Sequence, residues 1–240
     1  MRKNDTDCVI LCGGLGTRLQ TVVRDVPKVM AEVNGRPFLD YVIEHLKSQG
    51  IERVVLCTGY KAEMVERYYR ARPFDLTIDF SKENEPLGTG GALKHARHAG
   101  LSDPFIVLNG DSYLAAKLKA FLEFHDKKNS LASMLVVSAK EKGDFGNLML
   151  DDRDQIIEFR EKAQTSDEHL VNAGIYCFNH AIFSVMPDEK KFSLEHDLFP
   201  KLIGKGFYGY RVEAEFLDIG TPLRYEAVKQ KLKKGDDVGY

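Results

Sequence analysis

The chain has 240 residues, a length that suits one domain with an elaborated second lobe better than two independent domains. Its 34 Lys and Arg balance 36 Asp and Glu, for a net charge of −2, which argues against a general nucleic-acid binder, whose phosphate contacts call for a basic face. The polar start (Arg2, Lys3, Asn4, Asp5) and the short apolar run 8–12 resemble neither a signal peptide nor a membrane span, so a cytoplasmic protein with no membrane partner is expected. Cys8, Cys12, Cys57 and Cys177 lie in apolar runs without a CxxC pair, and read as buried free thiols rather than a disulfide framework or a zinc site.

Short β-branched runs alternate with helical patterns along the first half, the signature of an α/β fold with a mostly parallel sheet covered by helices on both faces. Residues 8–12 read as the first strand. A helix follows over 37–49: Pro37 suits its first turn, Phe38, Val42 and Leu46 share a face, and Gly50 stops it. Strand 53–58, helix 61–70, strand 76–81 and helix 89–99 come next, the last opening from a Gly-rich turn. Residues 105–109 form a strand ending in Gly110, Asp111 and Ser112, and the next helix carries Leu114, Leu118, Phe121, Leu122 and His125. After strand 131–138 the pattern changes to short strands at 146–150, 156–159 and 170–178, predicting an antiparallel elaboration over one side of the sheet. Residues 207–211 and 215–219 return to the core, and Pro222 opens a terminal helix to about residue 234, with Lys229, Lys231, Lys233 and Lys234 at the end that favours cations.

The densest chemical signal follows strand one directly: Gly13, Gly14 and Gly16, then Thr17 and Arg18. Glycines let the backbone approach a ligand, and successive N–H groups form a nest for phosphate oxygens. Neither common phosphate fingerprint fits, because a P-loop count from Gly13 reaches Arg18 where Gly is required, and a dinucleotide count from Gly14 reaches Leu19. Lys28, after the φ-fixing Pro27, is placed to neutralise a second oxyanion. Gly88, Thr89, Gly90 and Gly91 form a second Gly-rich turn at a helix N-terminus, where bare N–H groups favour polar or anionic groups. Asp111 and Asp218 each stand at a strand end, and two such carboxylates at one rim could hold Mg²⁺.

Taken together and in order, residues 11–19, 27–28, 87–92, 109–111, 161–162, 172–176 and 218–220 resemble the sugar-1-phosphate nucleotidyltransferases, also called nucleotide-sugar pyrophosphorylases. The resemblance covers nearly the whole chain. Within that family, residues 12–18, 33–38, 85–92 and 191–195 are most similar to the D-glycero-α-D-manno-heptose 1-phosphate guanylyltransferases. Departures are mild: Cys12 stands where many relatives carry Ala or Gly, Ser112 where many carry Thr, and Val29 where Pro is common.

The resemblance implies a Rossmann-like nucleotide-diphospho-sugar transferase fold, with a nucleotide-binding part over about 7–138 and a smaller antiparallel sugar-binding part over about 139–220. It implies transfer of a nucleotidyl group from a nucleoside triphosphate to a sugar 1-phosphate, releasing pyrophosphate. The nucleophile is already an anion, so the protein must position two anions and offset their repulsion. By motif match, Arg18 would hold the β- and γ-phosphates and Lys28 would bridge the α-phosphate and the sugar phosphate. Asp111 and Asp218 would hold Mg²⁺, and Lys162 would contact the sugar phosphate. Leu11, Gly13, Gly14, Gly16, Thr17, Gly88, Thr89 and Gly110 complete the nucleotide site, and Gly146, Glu161 and Asn172 the sugar site.

Base choice can be argued from chemistry. Glu83 lies where uridylyl- and thymidylyltransferases of this pattern usually carry Gln. A carboxylate accepts only, which matches the adjacent N1–H and N2–H donors of guanine and favours GTP. Glu85 competes for that role, and a turn with Glu83 in water is the plain alternative. Asp152 and Asp154 have the DxD spacing of glycosyltransferases but sit in a hairpin-turn sequence. His95, His98 and His125 are expected at the surface or at core margins, and Tyr68 and Tyr69 as packing residues. Mannose 1-phosphate guanylyltransfer, transfer from other triphosphates, a nucleotide-sugar sensor and a glycosyltransferase are the competing readings. A homo-oligomer is compatible with all of them.

Overall fold

The computed structural model describes residues 6–139, 146–160 and 169–232. Strand β1 (Cys8–Leu11) is followed by a single helical turn (Lys28–Met30), a hairpin of β2 (Glu32–Val33) and β3 (Arg36–Pro37), helix α1 (Phe38–Ser48) and β4 (Arg53–Thr58). Then come α2 (Ala62–Arg70), β5 (Thr77–Lys82), α3 (Gly88–Ala96), β6 (Phe105–Asn109), β7 (Ser112–Leu114), α4 (Leu118–Lys127) and β8 (Ala132–Ala139). The second part holds β9 (Asn147–Leu150), β10 (Ile156–Arg160), β11 (His169–Phe178), α5 (Phe199–Leu202), β12 (Phe207–Arg211), β13 (Phe216–Asp218) and α6 (Pro222–Lys231).

Strands β5, β4, β1 and β6 run parallel, β11 enters antiparallel between β6 and β8, and β12 lies parallel to β8. The β9–β10 hairpin pairs with the first half of β11, so all nine strands form one sheet. This corrects the expected elaboration over one side of the sheet: the antiparallel strands extend the sheet in its own plane. The reason is β11, whose ten residues are long enough to pair with β6 at one end and β9 at the other.

Alternation with period two divides the central strands between two cores. Cys8, Ile10, Val54, Leu56, Ile106 and Leu108 pack with α1, α2, α4 and α6, while Val9, Val55, Cys57, Phe105 and Val107 pack with α3 and α5. The expected sandwich of helices is therefore present. Each fully buried Leu, Ile or Phe in these layers stabilises the fold by about 1.5–3 kcal/mol relative to exposure. The four cysteines are buried and free, and burial pushes their thiols up, so they stay protonated. Among the described residues no helix is long and apolar enough to cross a membrane.

Local differences from the sequence reading have identifiable causes. Leu114 continues the helical spacing of α4 but lies on β7, because 112–114 pair with β13 and the extended Lys117 separates the two elements. Of the two segments expected to return to the core, β12 joins the large sheet, whereas β13 forms a ribbon with β7. The helix over 89–99 stops as α-helix at Ala96 and tightens into one last turn. Asn34 and Gly35, both at positive φ, make the β2–β3 turn, and the Asn34 amide donates to the carbonyls of Lys229 and Leu232, tying that hairpin to the end of α6. Tyr68 and Tyr69 pack as expected, both donating to the buried Asp40 at 2.7 and 2.8 Å. Asp152 and Asp154 lie in the β9–β10 turn, where the Asp151 carboxylate accepts from the N–H groups of Arg153 and Gln155.

His125 is a correction, because it is 1% exposed rather than marginal. Its ring bonds Ser133 Oγ at 2.9 Å and Asn179 Oδ1 at 3.2 Å, linking α4 to β8 and to the end of β11. Burial lowers its pKa, opposed by the hydrogen bond that Asn179 Oδ1 accepts. The unfolded chain therefore binds a proton more readily than the native state, and stability present above pH of about 6.5 is lost as the pH falls below it. Urea denaturation between pH 7.5 and 5.5 should show a falling midpoint, and His125→Gln should make that fall shallower. An identical pH slope in the variant would exclude this residue as a source.

Candidate functional site

The carboxyl ends of β1 and β6 lie side by side, with Leu11 opposite Asn109. The Gly110 N–H donates to the Leu11 carbonyl at 3.0 Å, and a Cβ on Gly110 would stand 3.0 Å from that oxygen and 3.1 Å from Cys12 Sγ. Only glycine lets the chain cross here without displacing β1. The loop after β1 turns through Gly16 at φ 61°, where an added Cβ would stand 2.8 Å from Lys28 Cβ. This close approach lays Lys28 beneath the loop. From there Lys28 Nζ donates to Asp111 Oδ2 at 2.5 Å, with the lysine side chain 12% exposed. Gly14, Thr17 and Arg18 are on the exposed side of the loop.

The β7–β13 ribbon brings the second carboxylate to the same place. Asp218 pairs in register with Ser112, and the Ile219 N–H donates to the Asp111 carbonyl at 3.0 Å. Asp218 Oδ1 accepts from the Gly220 N–H at 2.8 Å and from Arg224 Nη1 at 3.3 Å. Burial pushes the Asp218 carboxyl up, Arg224 and the Gly220 N–H oppose this, and the Asp111 charge adds to the rise. Two carboxylates thus share one patch, each beside a cation. Among the described residues no group of three His, Cys, Asp or Glu side chains forms a metal cluster; the hard oxygen donors that could hold a cation here are this pair of carboxylates.

Arg18, Lys28, Asp111, Asp218, Gly146 and Asn172 line one open cleft. Asn172, the polar oddity of an apolar strand, has a structural task. Its Oδ1 accepts from the Gly174 N–H at 2.8 Å and its Nδ2 donates to Tyr176 Oη at 2.9 Å, closing the irregularity in β11 between residues 172 and 176. The Asn172 N–H donates to the Gly146 carbonyl at 2.9 Å. Glu161 and Lys162 lie outside the described residues.

Glu83 turns inward rather than to water. Its Oε1 occupies the space that a Cβ would need on Gly13 or Gly59, 2.3 and 2.2 Å away, and its Oε2 accepts from the Leu87 N–H at 3.1 Å. Burial raises its pKa, against that N–H. Glu85 is exposed.

The second Gly-rich turn differs from its sequence reading. The N–H groups of Gly90 and Gly91 are not bare, since both donate to the Phe192 carbonyl at 3.0 and 3.2 Å. A Cβ on Gly88 would stand 2.5 Å from that same oxygen, and one on Gly91 would stand 2.2 Å from the Lys190 carbonyl. These glycines admit the protein's own 190–192 segment. Thr89 Oγ1 donates to Glu195 Oε2 at 2.7 Å and accepts from the Leu194 N–H at 2.9 Å.

Sequence reasoning did not assign Asn109, Ser112, Gly174, Glu195, Gly220 or Arg224 to the site, yet all line the cleft. Most flank a residue that was assigned, so adjacency to Asp111, Asn172 and Asp218 was the available signal. Arg224 carried none, because it reaches Asp218 from the first turn of α6.

With this arrangement in place, comparison with known proteins is informative. Residues 7–235 match the family model described as nucleotidyl transferase. The chain is 38% identical to a D-glycero-α-D-manno-heptose 1-phosphate guanylyltransferase of Aneurinibacillus thermoaerophilus, over 95% of this chain and 98% of that protein. It is also 38% identical to a protein of the same description from Campylobacter jejuni, over 90% and 96%. The crystal structure of HddC from Yersinia pseudotuberculosis complexed with GMP-PN superposes with a TM-score of 0.85 at 36% identity, covering 95% of this chain and all of that one. A match over nearly every residue, with paired cations and carboxylates at the strand ends where the fold places ligands, makes this chain a member of the nucleotidyl transferase family.

Proposed function

We propose that the protein transfers GMP from GTP to a sugar 1-phosphate, with D-glycero-α-D-manno-heptose 1-phosphate as the acceptor, giving a GDP-sugar and pyrophosphate. The observation that carries this reading is the Lys28–Asp111 pair beside Asp218 in a cleft that Arg18 also lines. An acceptor phosphate oxygen attacks the α-phosphorus, a new P–O bond forms, and the bond to the bridging oxygen breaks as pyrophosphate departs. No proton need be removed from the nucleophile, so the residues act by position and charge. Lys28 draws the two reacting phosphates together and Arg18 stabilises the departing one. The Yersinia protein's complex with GMP-PN and the two heptose enzymes support the choice of base and sugar.

Asp111 and Asp218 would hold Mg²⁺, the donor set being hard carboxylate oxygens whose mutual repulsion a cation relieves. When bound, it would supply Lewis-acid polarisation of the α-phosphate.

The deciding assay is pyrophosphate release with each nucleoside triphosphate against heptose and mannose 1-phosphates. GTP with the heptose substrate should be fastest, and Asp111→Asn should lower the rate by at least about 100-fold, the scale seen when a group stabilising transition-state charge is lost. Faster turnover of mannose 1-phosphate would move the protein to the related mannose reaction, and preference for another triphosphate would sink the guanine reading.

Glu83 gives a sharper test of base selection. Its acceptor oxygen faces the Gly13 backbone, and loss of a charged hydrogen bond costs about 1.5–3 kcal/mol. Glu83→Gln should lower kcat/KM for GTP relative to UTP by about 10- to 100-fold. Gly59→Ala, which displaces the same carboxylate, should reproduce the direction of that change. Unaltered base preference in both variants would remove Glu83 from the base site.

A further inference from the structure

The carboxylate of Glu195 enters the same cleft from the opposite sequence direction. It belongs to a five-residue helical turn, Leu194–Leu198, whose cap is Ser193. Ser193 Oγ accepts from the N–H groups of Glu195 and His196, and the Ser193 N–H donates to Asp197 Oδ2 at 2.7 Å, so the turn is fixed from both sides. Two hydroxyls then clamp one oxygen of the side chain: Thr89 Oγ1 and Ser193 Oγ each donate to Glu195 Oε2 at 2.7 Å. Oε1 has no partner among the described residues, while Glu195 lines the cleft with Asn109, Asn172 and Gly174.

An oriented carboxylate with one occupied oxygen is an acceptor awaiting a donor. It repels phosphate, so its counterpart is the uncharged part of a substrate, and in a sugar phosphate that part is a set of hydroxyl donors. Asn172 offers little competition for those donors, since its amide already bonds Gly174 and Tyr176. Glu83, the acceptor proposed for the base, lies against Gly13 and Gly59 and does not line this cleft. We infer that Glu195 is a specificity-determining residue that accepts a hydrogen bond from a ring hydroxyl of the sugar 1-phosphate. This assignment rests on the proposed guanylyltransfer.

The test is steady-state kinetics of Glu195→Gln with GTP, using mannose or heptose 1-phosphate, whichever the wild type prefers, and its 2-, 3- and 4-deoxy analogues. The variant is isosteric and retains an oxygen for Thr89 and Ser193, and its affinity for GTP by calorimetry verifies the fold. KM for the sugar phosphate should rise by about 10-fold or more, on the scale of a hydrogen bond to a charged group, with KM for GTP within about twofold. One deoxy analogue should be penalised in the wild type and no longer distinguished from its parent in the variant, because a site built to bond a hydroxyl rejects the analogue that lacks it. An unchanged KM for the sugar phosphate, a larger effect on GTP, or equal discrimination by both proteins would overturn the role of Glu195 while leaving the reaction intact. Wild-type protein that turns over neither sugar phosphate with any triphosphate would overturn the reaction, and the assignment with it.

Discussion

The pairing of Ser112–Leu114 with Phe216–Asp218 is the constraint on which the site depends. These segments are far apart in sequence and contribute three residues each, yet their register sets Asp218 against Ser112 and therefore beside Asp111. Holding two carboxylates together in a partly buried cleft is unfavourable in isolation: burial raises the Asp218 pKa, and the Asp111 charge adds to the rise. Lys28 offsets it at Asp111 and Arg224 at Asp218. The cluster is thus close to charge balance before any substrate arrives. In the proposed reaction an incoming phosphate would exchange partners with groups already positioned, which is less costly than assembling them from solvent.

The two glycine-rich turns show how similar sequences can answer to different physical demands. Around Gly13 and Gly16 the absent side chains make room for Glu83 and Lys28, so the glycines admit charged side chains of the same chain. Around Gly88, Gly90 and Gly91 they make room for the Lys190 and Phe192 backbone and the Phe192 ring. The end of α3, which in isolation would attract an anion, is instead occupied by the Phe192 carbonyl, with the Glu195 carboxylate bonded to Thr89.

Much of this was legible in the sequence because the relevant signals are local. The strands 53–58, 105–109 and 207–211 were predicted with the bounds the structure shows, since unbroken β-branched or aromatic runs between turn residues leave no competing pattern. Glycines and charged residues at strand ends likewise marked Lys28, Asp111 and Asp218. What escaped depends on pairings between distant segments. Leu114 fits the spacing of α4 and is claimed by β13, the antiparallel strands join the main sheet because β11 is long enough to pair at both ends, and His125 is covered by Asn179 at the end of β11. No periodicity within a window encodes a partner outside it. The same holds for Arg224 and Glu195, ordinary charged residues in sequence that become part of the site only through α6 and the 193–198 turn.

The distribution of charge across the cleft gives these separate features a common consequence. Arg18 and Lys28 stand on the β1 side, next to the loop and its single turn, while Glu195 stands on the side built from α3 and the 190s segment. A sugar 1-phosphate is itself polarised, with its charge at one end and its hydroxyl donors at the other. In the proposed reaction the phosphate would be drawn to the cations, near the α-phosphorus of the triphosphate, and the hydroxyls would fall toward the acceptor. Reversing the sugar would set phosphate against carboxylate, a juxtaposition of like charge that costs several kcal/mol. Orientation of the nucleophile in the proposed reaction therefore follows from where the cations lie: Asp111 and Asp218 are each paired with one, whereas Glu195 bonds only the hydroxyls of Thr89 and Ser193. The 190–195 segment would contribute to this twice, by occupying the end of α3 with the Phe192 carbonyl and by carrying the carboxylate proposed to receive a sugar hydroxyl.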